Sequence, residues 1–212
     1  MTEVGGMRKV LDVTTRTWHW MFAGCFAGAY LTAESETLRL LHVTLGYTLA
    51  GLLVFRVCWG MMGPRHVRLS AMIRKLKGLA TLKQAYQDGQ IIRAANLKLT
   101  VNLMMTLVVM ALLLFVIPIT LSGYGIYNDL AGHWLEEVHE FMGELMLMMV
   151  FAHLVLIVLA SFQRKTNMAL AMWSGFQPGN GPDLIKHDHR VLAWLLMMSA
   201  LAWAIVYLFV VH

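Results

Sequence analysis

The chain has 212 residues, of which 58% are hydrophobic and only 14% charged, and its mean hydropathy is +0.62. Soluble domains carry about 25% charged residues, so too few polar groups remain here to cover a water-exposed surface, and the same composition excludes intrinsic disorder. The formal net charge of +5 invites a nucleic-acid reading, but in so apolar a chain the location of the charges counts for more than their sum. The composition is that of an integral membrane protein, with lipid rather than nucleic acid as the expected surroundings.

A helix needs about 20 apolar residues to cross a hydrocarbon layer about 30 Å thick. Five segments approach or exceed that length, at approximately 17–33, 41–62, 99–121, 141–162 and 191–211. Their apolar runs are continuous rather than alternating, which predicts helices and not barrel strands. The expected fold is therefore all-α, a multi-pass transmembrane helix bundle forming one integral-membrane domain over residues 1–212.

In the first span Ala27-Gly28-Ala29 resembles a signal-peptide cleavage site, but we read the segment as an uncleaved anchor. Trp18, Trp20, Trp59 and Trp134 are expected at the membrane interfaces. Gly24, Gly28, Gly46, Gly51 and Gly143 are expected to let helices approach closely. Residues 69–86 carry apolar side chains at helical spacing with Arg and Lys between them. They read either as a basic amphipathic helix on an anionic leaflet or as a solvated loop helix. Pro118 is expected to kink or end the third span, and the seventeen methionines to fill gaps between helices. Cys25 and Cys58 belong to no C-x-x-C-H sequence, which excludes covalent c-type haem, and they read as buried thiols.

The charges sort by side. Fifteen of the seventeen bases fall in the N-terminal tail, the 63–98 loop or the 163–190 loop, with Glu3, Asp12, Asp88, Asp183 and Asp188 as the acids there. The opposite side has Arg39 against Glu34, Glu36, Asp129, Glu136, Glu137 and Glu140. The excess of positive charge marks the cytoplasmic side, so the N-terminus is predicted inside and the C-terminus, after five crossings, outside.

Four of the nine histidines lie in spans or at their ends, where ionisable residues are costly and usually functional. Span directions put His19 and His153 near the inner face, and His42 and His139 near the outer. His139 and His153 are fourteen residues apart, about 21 Å along a helix and roughly 40° from perfect alignment. Two histidines at one level on different helices are what an axially ligated iron porphyrin needs, whereas zinc usually takes four ligands at one point. The competing reading is four separate histidines, each bonded to a carbonyl or capping a helix. Arg56, near the inner end of span two, is placed to meet a haem propionate or to snorkel to the interface. Arg16 is placed beside the same level. Glu144, the one acid inside a span, is a candidate proton carrier or a hydrogen-bonding partner for a neighbouring helix.

The stretches Arg16-Thr-Trp-His19-Trp, His42-Val-Thr-Leu-Gly46-Tyr47, Arg56-Val-Cys-Trp59-Gly60-Met-Met-Gly63 and His139-Glu140-Phe-Met-Gly143, with His153 fourteen residues on, resemble the bacterial cytochrome b561 and hydrogenase-type cytochrome b family. Asn167-Met-Ala-Leu-Ala171-Met172-Trp-Ser-Gly175 resembles it too, so the resemblance runs from about residue 10 to 176. The entry to span three, Arg93-Ala-Ala-Asn96-Leu-Lys98, departs from the Gly-His-Asn-Pro-type sequence of many relatives.

The resemblance implies a four-helix di-haem core over 10–176, with 191–211 as an added fifth transmembrane helix. It implies two non-covalent b-type haems whose axial ligands are His19 with His153 and His42 with His139. It further implies a bacterial inner-membrane location and electron exchange with the quinone pool, ubiquinone or menaquinone. The other partner would be a periplasmic c-type cytochrome or a dehydrogenase-type redox subunit, the acidic outer face favouring a basic one. Three alternatives stay open: a stand-alone quinone-linked enzyme such as a superoxide oxidase, a metal or proton transporter, and a structural anchor for a soluble enzyme.

Overall fold

The computed structural model describes residues 6–64, 67–89, 94–130, 132–185 and 187–209. Glu3, Arg65, Arg93 and Lys186, which entered the charge assignment above, lie outside the described residues. A short strand β1 (Met7–Lys9) leads into α1 (Val13–Thr32), and a 3-10 turn at Glu36–Leu38 leads into α2 (Arg39–Met62). Two short helices follow, α3 (Leu69–Lys75) and α4 (Gly78–Gln87), then the long α5 (Ala94–Tyr127) and α6 (Trp134–Arg164). The chain closes with α7 (Leu170–Ser174), β2 (Phe176–Pro178) and α8 (Arg190–Phe209).

Among the described residues four helices are long and apolar enough to cross a membrane: α2 with its preceding turn, α5, α6 and α8. Helix α1 is not among the four although it is as long as α8, because Arg16, His19 and two tryptophans dilute its apolar content. It is nonetheless part of the bundle, packed against α2 and α8. The helices outrun the apolar segments that announce them. Helix α5 has 34 residues and α6 has 31, about 51 and 46 Å at 1.5 Å per residue, so their polar ends project beyond a layer about 30 Å thick.

Pro118 lies inside α5 without ending it, and the helix runs on to Tyr127. The stretch 69–86 is two helices and not one, broken at Leu76 and Lys77. The break lets α3 place Leu69 on Gly60 of α2, while α4 places Gly78 against Leu99 and Leu103 of α5.

Helix α1 starts at the buried Asp12, whose carboxylate accepts from the Thr15 N–H at 2.7 Å and caps the first turn. The core of the bundle joins Trp18 and Phe22 of α1, Leu49 and Leu52 of α2, Val116 of α5, Met146 of α6 and Leu196 of α8. Trp18 is thus a core residue and not the interface anchor expected. Its indole N–H donates to the Leu52 carbonyl at 2.8 Å, which satisfies its polar atom internally. Trp20 and Trp134 are exposed.

Contacts between helix ends fix the directions. Thr14 donates to the His189 carbonyl, Trp59 meets the His189 ring at 5.2 Å, and Arg164 donates to Asn102. The starts of α1, α5 and α8 and the ends of α2 and α6 therefore share one end of the bundle, where the bases cluster. The opposite, acidic end joins Tyr47, Tyr124 and Tyr207 from α2, α5 and α8. Helix α6 packs along α5 but, among the described residues, has no comparable seam with α1 or α2.

The basic end is tied by a feature hydropathy does not announce. Strands β1 and β2 pair antiparallel, Arg8 opposite Gln177, and Lys9 Nζ meets Asp188 Oδ2 at 2.5 Å with Arg190 at 3.4 Å. Burial alone would raise the Asp188 carboxyl, but the hydrogen bond and charge of Lys9, with Arg190, outweigh it and hold the group below the usual carboxylate range. A depressed carboxylate stabilises the folded state above its unfolded value, about 3.9, and loses that contribution as pH falls through the lower folded value. Protection of the Met7–Lys9 amides, taken as exchange relative to an unstructured peptide at the same pH, should therefore hold down to pH about 4 and fall below it. In Asp188→Asn protection should be low at neutral pH and insensitive to acid; equal protection in both proteins at pH 7 would show that the ion pair does not hold the ribbon.

Candidate functional site

The four helix histidines come together as two facing pairs. At the acidic end the rings of His42 on α2 and His139 on α6 lie 5.9 Å apart between centroids, at 67°. At the basic end His19 on α1 and His153 on α6 lie 6.4 Å apart, at 51°. The rings pair as their depths along the spans lead one to expect, and α6 contributes one ring to each pair.

At the acidic end both rings are held from behind. His42 Nδ1 lies 2.8 Å from the Ala29 carbonyl, and His139 Nδ1 lies 2.9 Å from the Ile119 carbonyl. A carbonyl only accepts, so each Nδ1 carries the proton and each Nε2 keeps a free lone pair. Ser122 Oγ, which donates to the Pro118 carbonyl, also lies 3.2 Å from His139 Nδ1. This is the backing that fixes ring orientation in metal-binding histidines. A histidine serving only to satisfy a carbonyl would not also need a second ring opposite it.

Gly123 makes the acidic-end arrangement sterically possible. A Cβ there would lie 2.9 Å from Cε1 and 3.3 Å from Nδ1 of His139, so only glycine lets that ring seat against α5. At the basic end His153 Nδ1 is buried and has no hydrogen-bond partner among the described residues, an orphan that needs an external explanation.

With metal–imidazole bonds of about 2 Å and about 1.1 Å from nitrogen to ring centre, two rings sharing one metal put their centroids about 6 Å apart. Both separations match. A planar macrocycle also needs room beside the rings. Helix α6 stands off from α1 and α2, and Gly46 and Gly143, each one turn past a histidine of the acidic pair, have nothing within 4 Å of where a Cβ would be. Their expected role in close helix packing is not what the structure shows, nor is that of Gly24 and Gly51; Gly28 alone of the five meets a neighbouring helix, at Leu45. The residues present fit an axially ligated porphyrin at both levels.

Arg56 donates to the Val67 carbonyl at 2.9 Å and lies over the Trp18 ring at 5.7 Å. Arg16, three residues before His19, donates to the Trp173 carbonyl at 2.6 Å, while its Nε is buried without a partner. Glu144 is exposed on α6. His133 pairs with Glu136 at the exposed start of α6 and stands apart from the His42/His139 pair. No group of three or more His, Cys, Asp or Glu side chains able to hold a bare metal ion occurs among the described residues. Sequence reasoning missed Gly123, Ser122 and the two carbonyl partners. A glycine at 123, just past the third apolar run, is the one visible signal, and backbone acceptors carry none.

No curated protein and no solved structure matches the chain. The family model described as prokaryotic cytochrome b561 matches residues 10–175, which includes all four paired histidines and stops before α8. The chain belongs to the prokaryotic cytochrome b561 family.

Proposed function

We propose that the chain holds one b-type haem at each histidine pair and moves electrons across the bacterial inner membrane between the quinone pool and a redox partner on the far side. The family is one of membrane cytochromes b, so electron transfer with b-type haem is the activity it carries. The observation that supports two haems is the recurrence of one geometry, facing imidazoles about 6 Å apart, at both ends of α6. Bound haem supplies a one-electron ferric/ferrous couple.

The chain's own residues do the rest. His42 and His139 present oriented Nε2 lone pairs, made more basic by their Nδ1–H bonds. Met146, halfway between His139 and His153 and fully buried, joins Leu49, Leu52 and Val116 in keeping the interval between the levels apolar. In our reading Arg16, through its unpartnered Nε, and Arg56 hold haem propionates at the basic end. Glu144 carries protons for quinone chemistry. The basic end is cytoplasmic by the bias of its loops, and the acidic end favours a basic partner such as a c-type cytochrome.

Vesicles containing the purified protein and a trapped water-soluble oxidant test the reading directly. A quinol added outside should reduce the trapped oxidant, and His42→Ala or His153→Ala should each abolish the transfer. Transfer that survives both variants would rule out a path through the two pairs.

A further inference from the structure

Helices α3 and α4 sit at the basic end and are only half covered by the bundle. Residues 78, 82 and 85 share one face of α4 by their spacing of four and three. This face is the packed one: Gly78 meets Leu99 and Leu103 of α5, and Ala85 is buried. About 100° round the same helix, Leu79, Lys83 and Tyr86 form a second row, and there Leu79 is 46% and Tyr86 72% exposed. Ile73 of α3 is 60% exposed as well. Arg68, Arg74, Lys75, Lys77 and Lys83 lie along these helices with Asp88 the one acid in 67–89, and all five bases are exposed.

This juxtaposition decides between the two readings that sequence left open. A solvated loop helix keeps polar groups on its free face, and this free face carries two large apolar side chains with a lysine between them. An apolar row flanked by long cationic stems is the pattern of a helix lying in the headgroup layer, apolar groups down and ammonium groups level with phosphates. The position agrees. Helix α4 contacts α5 as far along as Leu103, nine residues in from the start of that helix, or about 14 Å, so the pair lies beside the segment where α5 enters the hydrocarbon. A second copy of the chain is disfavoured as the occupant, because the same five bases would face each other.

We propose that α3 and α4 form a two-helix membrane-surface segment that binds anionic phospholipid headgroups, with Ile73, Leu79 and Tyr86 inserted below the phosphates and Arg74, Lys75, Lys77 and Lys83 paired to them. The site is separate from the histidine pairs and does not depend on what they hold.

The test uses the full-length protein in vesicles with a spin label at Tyr86→Cys, in a background where Cys25 and Cys58 are replaced by serine and circular dichroism confirms the helical fold. In vesicles containing phosphatidylglycerol the label should be reached by membrane-soluble oxygen and shielded from a water-soluble nickel complex. Replacing phosphatidylglycerol by phosphatidylcholine, or Arg74, Lys75, Lys77 and Lys83 by glutamine, should lower the oxygen-to-nickel accessibility ratio by about tenfold or more, since each base near an anionic surface contributes about a fivefold preference. A label equally open to nickel in every vesicle would mean that the segment is solvated. One shut off from both probes would mean that protein covers it. A ratio unmoved by headgroup or by the glutamine variant would mean that charge plays no part. Each of these three results overturns the proposal.

Discussion

Replacing His139 by alanine should halve the haem content of the purified protein and leave the other site spectroscopically intact. The variant removes one of two rings 5.9 Å apart, so His42 alone would face the iron and the acidic-end haem should be lost. The other pair shares only α6 with this one and stands about 21 Å along it, far enough for the effects to be independent. His42→Ala should therefore reproduce the His139→Ala result, and the double variant should be no worse than either single. A variant joining His139→Ala to His19→Ala should hold no haem. Haem:protein ratios from absorption check all four. Retention of both haems by His139→Ala would remove this residue from the ligand set.

Valine at Gly123 should weaken haem retention at the acidic end by on the order of tenfold to a hundredfold, the range seen when groups that orient metal ligands are disturbed. The cause is local. A Cβ at Gly123 would meet the His139 ring at 2.9 Å, and the ring cannot retreat without stretching its 2.9 Å bond to the Ile119 carbonyl. Leucine at Gly143 should have the same outcome for a different reason, by filling the open space one turn from His139 while touching no helix. Alanine at Gly24, exposed and with nothing within 4 Å, should leave haem content unchanged. Equal haem content in all three variants would mean that the space between α6 and its neighbours is not where the macrocycle lies.

Much of this site was legible in the chain because depth in a membrane is legible. Apolar runs give the spans, the charged loops give their directions, and a histidine's place in its run then gives its level. The fourteen-residue interval between His139 and His153 needed only the pitch of a helix. Packing against backbone was not legible. Ala29 and Ile119 act through their carbonyls, which every residue possesses, and Gly123 matters for the side chain it lacks.

Trp18 misled because tryptophan is common at both interfaces and cores, and its place was decided by the Leu52 carbonyl thirty-four residues away. The β1–β2 ribbon joins segments about 170 residues apart, with too few residues in each strand to show a period. The extent of α5 and α6 was hidden because the turns beyond their apolar runs, at both ends of α5 and chiefly at the start of α6, are more polar and leave little trace in hydropathy. Helix α8 was visible as a span but not as a partner of α1 and α2, since that packing depends on surfaces that look alike to lipid and to another helix.

The central claim is that each histidine pair carries one haem, and a redox-titrated absorption spectrum with haem and protein quantified on the same sample tests it most directly. The account predicts two non-covalent b haems per chain, both low-spin, titrating as two components. One haem per chain, or none, would contradict it.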